Sequence, residues 1–194
     1  MNVSASTQRQ ATSALVFLFE NVLRRSLADQ LEPDQPAVLH PKMPQQVPTV
    51  LTTGEVDAVL EQMAGVPRLV ASLLYGAGLR LMEALRMRVK DLDFDAWQVV
   101  VRDGKGRKDR VSLLPERLVP ALSAHLKVMH EQHQTDLSAG AGFVELGDAL
   151  DRKFPSAASD WRWQWIFPAT RTYVHGPSSQ VRRHHIHETV IQRA

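Results

Sequence analysis

The sequence predicts an α+β fold, mostly α, with one small antiparallel β-hairpin. Three observations predict it. Apolar residues recur at helical spacing over 4–27, 52–65, 67–88 and 115–133. Two period-two runs, 98–102 and 110–114, flank a turn with two glycines. A proline-rich interval over 31–50 has no sustained period, and it separates the first helix from the rest. The predicted organisation is therefore 1–30 as a separate helical segment, 31–50 as linker and 51–194 as the main domain.

The first helix is expected over 4–27, capped by Ser4 or Ser6. Ala11, Ala14, Leu15, Leu18 and Val22 form its stripe, widened by Phe17 and Phe19. A single helix with that much apolar surface needs partners in water. The linker holds five of the eleven prolines, and His40 and Lys42 in it are expected to be solvated. Thr52 and Glu55 make a capping-box pattern before Val56, Val59, Leu60 and Met63. Pro67 suits the first turn of the next helix, whose core face is Leu69, Val70, Leu73 and Leu74. Gly78 breaks it. Leu79, Met82, Leu85 and Met87 predict a further helix over 79–88, with Arg80 at its mouth.

The hairpin tip carries Lys105, Arg107 and Lys108, and Arg110 opens the second strand. Read alone, it is a solvated basic turn or a surface that presents cations to an anion. The helix over 115–133 has Leu118, Leu122, Leu126 and Met129 as its stripe; His125, His130 and His133 are expected at its surface. Residues 145–152 read as helical. Trp161, Trp163 and Trp165 alternate, which puts all three on one face if the segment is a strand. That face is either a packing cluster or a stacking platform for unpaired bases. Tyr173 falls in a predicted loop, and Ser178 or Ser179 is expected to cap the last helix. Arg182, Arg183, His184, His185 and His187 form a cationic cluster that is expected to charge that helix start.

Lys plus Arg is 23 against 21 acidic residues, so the net charge of +2 does not by itself demand nucleic acid. The distribution is more informative, since 80–117 holds ten Lys or Arg against seven acids. Cysteine is absent, which excludes disulfides and thiolate metal sites. No apolar run reaches membrane-spanning length, and no secretory signal opens the chain. No metal and no cofactor is expected. His187-Glu188 lacks the second histidine of a zincin, because position 191 is Ile.

The pairing of GAGLRLMEALRMR (76–88) with DGKGRKDRVSLLP (103–115) resembles the tyrosine recombinases, which cut and rejoin DNA through a phosphotyrosine. The resemblance implies that Arg80 grips the scissile phosphate, that Glu83 supports it and that Lys105, or Lys108 if the tip is shifted, acts near the leaving 5′ oxygen. The chemistry suits these residue types. A planar guanidinium holds two non-bridging oxygens at once, and an ammonium on a flexible stem delivers a proton. Arg107, Lys108 and Arg110 are then expected to contact DNA.

ALDRKFPSA (149–157) and WRWQWIFP (161–168), followed by RRHHIHE (182–188), resemble the integron integrases within that family. The N-terminal helix likewise resembles the last helix of their core-binding domain. The resemblance implies an extra insert at about 138–168, which includes Pro155. It also implies recognition of folded single-stranded hairpin sites, beside a duplex attachment site, through bases that protrude from the stem. Trp161, Trp163, His184 and His185 are the groups it points to. Self-association on DNA and a bacterial cytoplasmic location follow from the same likeness. The family's His-x-x-Arg block and nucleophilic tyrosine are not found, and Tyr75 and Tyr173 lack the nucleophile's context. The chain is expected to be catalytically incomplete alone, with Tyr75 packed. The alternatives are a non-catalytic DNA-binding module and, weakest, a histidine-dependent metal hydrolase.

Overall fold

The computed structural model describes residues 4–26, 49–102, 109–147, 150, 153, 154 and 156–194. It divides into two units, Met1–Val50 and Leu51–Ala194. In the first, α1 (Ala5–Phe17) passes into a π-helical turn at Leu18–Val22. Ser4 caps it by accepting from the Thr7 N–H at 3.2 Å. It buries none of its residues, and Leu15, Phe17, Leu18 and Val22 all remain exposed. The predicted linker lies almost wholly outside the described residues.

The second unit is mostly helical with two small antiparallel sheets, as expected of an α+β chain. Helix α2 (Thr53–Gln62) opens on the Thr52–Glu55 capping box. Helix α3 (Gly65–Ala77) buries Leu69, Val70 and Leu73 and ends where Gly78 turns left-handed at φ 63°. Such a turn costs glycine little and most other residues about 1–2 kcal/mol. Helix α4 is only Leu81–Leu85, shorter than the 79–88 that the apolar pattern predicts. Arg86 ends it, and Arg88 leaves in extended conformation to bridge Trp165. Leu79 and Met87 are buried all the same, because the core closes around both ends of the short helix.

Strands β1 (Leu92–Asp93), β2 (Gln98–Val101) and β3 (Arg110–Leu113) form one sheet in that order. The predicted hairpin is present, with Gln98 opposite Leu113 and Val101 opposite Arg110. The tip residues Lys105, Arg107 and Lys108 lie outside the described residues. Helix α5 (Val119–Ser138) follows a short 3-10 turn and buries Leu122. The histidines on it correct the expectation of a surface row. Only His130 is exposed; His125 is half-buried and donates to Ile166 O (2.8 Å), and His133 is buried and donates to Ser159 O (3.1 Å).

Three further expectations are corrected. The tryptophan segment is not a strand: Trp161–Trp163 is a 3-10 turn, so alternation does not share a face there. Residues 145–147 are not helical, although 150 and 153 are. Tyr173 lies on a strand, β4 (Pro168–His175), which pairs with β5 (Gln180–His185). Ser178 and Ser179 therefore belong to the turn of that hairpin. His187 caps the last helix, α6 (Glu188–Gln192), by accepting from the Thr189 N–H.

The main core joins Val70, Leu73, Leu85, Val99, Leu122 and Phe167, all at or below 1% exposure. Side chains of this kind stabilise by about 1.5–3 kcal/mol each when fully buried. A satellite cluster joins Val144, Leu146, Ala157, Ala158 and Trp165.

Candidate nucleic-acid interface

Arg80 is set at the mouth of α4 by the left-handed Gly78 turn, as N-cap residue. Glu83, one turn on, organises the surroundings. Its Oε2 accepts from the Arg80 backbone N–H at 2.8 Å, and its Oε1 accepts from the Arg80 guanidinium at 2.7 Å. Arg110 on β3 donates to both carboxylate oxygens, at 2.9 and 2.7 Å. The hydrogen bonds from Arg110, then those from Arg80, hold the Glu83 carboxyl down at about 2 despite its burial. The same pair raises Arg110. One carboxylate thus orients two guanidinia, and the trio keeps a net positive charge. The Arg80 side chain is 59% exposed, with its unshared donors free to meet an anion in solvent.

A second cationic group lies behind α4. The Arg88 guanidinium sits 3.9 Å from the centroid of Trp165 and donates to Trp163 O and Glu145 O. Burial pushes it down to about 10. The Lys90 ammonium stands 3.1 Å from the centroid of Trp163, and burial, then Arg102, lowers it. Two backbone bonds hold these layers in register, Val89 N–H to Gln164 O and Ile166 N–H to Met87 O, each at 3.0 Å.

The predicted base-reading residues are brought together only in part. Trp165 packs between Arg88 and the imidazoles of His184 and His185, at 6.1 and 5.5 Å between ring centroids. The two histidine rings lie 4.0 Å apart; His184 is exposed and His185 is buried. Trp163 stands over Lys90 and Arg88. Trp161 is drawn instead to α5, against His130 and His133 at 4.9 and 5.7 Å. The β4–β5 hairpin that carries the histidines is fastened to α5 by Arg183, which donates to both oxygens of Asp136 at 2.7 and 2.8 Å. Arg183 also donates to Ala169 O and Thr170 O, and this pair lowers Asp136.

Sequence reasoning missed Arg86, Arg88 and Lys90. Their signal was present in the cation-rich RMRVK, whose Arg86 ends α4, whose Arg88 is extended and whose Lys90 lies in a 3-10 turn. It also missed the part of Trp165 and the Asp136–Arg183 tie, whose partners are far apart in the chain. Tyr75 on α3 is 45% exposed, which corrects the expectation that it is packed; Tyr173 is 37% exposed. Among the described residues no three His, Asp or Glu converge as a metal site, and no helix is long and apolar enough to cross a membrane.

Residues 49–192 match the family model described as "Phage integrase family". Two proteins each named "Integrase/recombinase", from Escherichia coli and Pseudomonas aeruginosa, are 44% identical over 193 residues, covering 99% of this chain and 56% of theirs. "Tyrosine recombinase XerA" of Thermococcus kodakarensis is 38% identical over 97 residues, 48% of this chain and 34% of that protein. The chain thus spans a little over half the length of the first two relatives.

Proposed function

Since the chain belongs to the phage integrase family, we propose that it is part of a tyrosine recombinase that exchanges DNA strands at specific sites, of the integron integrase type that moves gene cassettes. The observation that carries this reading is the Arg80–Glu83–Arg110 trio at the foot of a basic hairpin. Arg80 grips the non-bridging oxygens of the scissile phosphate. Glu83 fixes its rotamer and Arg110 adds charge to the same strand. Preorganised donors of this kind stabilise a developing anion by about 3–4 kcal/mol each. Lys105, with Lys108 in reserve, supplies the proton to the leaving oxygen, and Arg107 and Lys108 contact neighbouring phosphates.

The integron assignment also uses Trp163, Trp161, His184 and His185 to read bases that protrude from a folded single-stranded site. His184 is the exposed member, Trp161 and Trp163 are partly exposed, and His185 and Trp165 back them. The partners are DNA, duplex and folded hairpin, and further copies of the protein on it, in a bacterial cytoplasm. Neither tyrosine stands in the sequence context of the family's nucleophile. These 194 residues by themselves are therefore assigned DNA binding without cleavage.

The test is a mobility-shift titration with a hairpin carrying unpaired bases and with its perfect duplex, at several salt concentrations. The expected result is hairpin preference with affinity that falls steeply as salt rises. Equal affinity for both would end the integron reading, and salt-independent binding would end the phosphate reading. A nicked substrate that becomes covalently joined to Tyr75 or Tyr173 would overturn the assignment of binding without cleavage.

A further inference from the structure

A cleft of about 520 Å³ opens behind α4, with Glu83 on its wall. Four cations line it, namely Arg86, Arg88, Lys90 and Arg102, against two acids, Glu83 and Asp91. Both acids are already engaged. Glu83 holds Arg80 and Arg110, and Asp91 accepts from Arg102 Nε at 2.7 Å and from the Arg88 backbone at 2.9 Å. The Arg88 guanidinium is turned onto two carbonyls and an indole. Among the described residues, Lys90 and Arg86 have no carboxylate at ion-pair distance. Lys90 is thus held in a concavity beside like charges, an arrangement that an anion relieves.

We propose that this cleft is a second phosphate-binding subsite, distinct from Arg80, in which Lys90 and Arg86 grip one phosphate group and Trp163 walls the side where its organic part lies. The residue types fit that ligand. An ammonium offers a point charge, a guanidinium fork matches two oxygens, and Met82, Leu146 and Trp163 give an apolar wall for a sugar or base. The phosphate belongs to a DNA strand or to a free nucleotide. Only the DNA source rests on the function proposed above.

Thymidine 3′,5′-bisphosphate titrated into the whole chain, read by tryptophan emission, tests the subsite itself. Wild type should give a saturable change. Lys90→Gln and Arg86→Gln should bind about tenfold more weakly, the loss expected of one charge-assisted contact. Arg171→Gln, exposed on β4 and outside the cleft, should bind as wild type does. Arg86 is exposed, so that variant keeps its fold and carries the test even if Lys90→Gln does not. No saturable change in wild type, unaltered affinity in Arg86→Gln, or an equal loss in Arg171→Gln would each overturn the proposal. A second titration uses a single-stranded oligonucleotide. If DNA is the source, Arg86→Gln lowers the slope of log affinity against log salt by about 0.7. Bisphosphate binding with an unchanged slope assigns the subsite to free nucleotides. Bisphosphate binding by a chain that binds no oligonucleotide supports the subsite and defeats the DNA-binding function.

Discussion

Replacing Glu83 by glutamine removes the one charge that orders Arg80 and Arg110 together. The carboxyl stands at about 2 in the fold against an ordinary value of 4.5. At about 1.4 kcal/mol per unit, that difference corresponds to roughly 3 kcal/mol. Both guanidinia reach solvent, so screening reduces the contribution to about 1–2 kcal/mol. The sign follows from the direction of the shift. A depressed carboxyl stabilises fully above pH 4.5, and that stability is lost as the pH falls through about 2. Glu83→Gln should therefore unfold roughly 3–8 °C lower at pH 7. The gap from wild type should narrow between pH 4.5 and 2, and the difference curve cancels the other carboxylates. The assay is thermal unfolding by circular dichroism across that range. A gap independent of pH, or no gap at pH 7, would refute the charge argument. Oligonucleotide affinity measured on the same samples should fall, because Arg80 loses its fixed rotamer.

Asp136→Asn should cost about 2–4 kcal/mol in urea unfolding, since it leaves the Arg183 guanidinium, 15% exposed, without its bidentate partner. Gly76→Ala should destabilise, although alanine ordinarily favours a helix interior. The added Cβ would meet Pro115 Cγ at 2.6 Å, and overpacking of that kind costs about 1–3 kcal/mol; a raised melting temperature would contradict it. His125, His133 and His185 are each lowered by burial. Their neutral forms stabilise the fold above pH 6.5, and the contribution is lost as pH falls below that. Wild type should thus lose stability between pH 7.5 and 5.5, and His133→Gln should lose less, as compared by urea unfolding.

Local chemistry made much of this chain legible from its residues alone. The Thr52–Glu55 box, the break at Gly78 and the pairing of 98–101 with 110–113 depend on neighbours within a few positions or across one turn. The Arg80–Glu83 relation was legible for the same reason, since three residues on a helix start bring side chain and backbone together. Periodicity failed where a long-range contact outweighed it. The stripe over 79–88 reads as one helix, but Arg88 is more stable stacked on Trp165 and bonded to two distant carbonyls. WRWQW alternates like a strand, yet Trp161 is drawn to α5 while Trp163 and Trp165 stack on Arg88, and 161–163 winds into a 3-10 turn. The histidines of α5 look like surface residues until Phe167 and Trp161 cover two of them. Composition determined that cations and indoles were available near one another in the chain. Only the tertiary structure decided which of them meet, because burial makes each polar group take whatever partner lies within reach, whatever its distance in sequence.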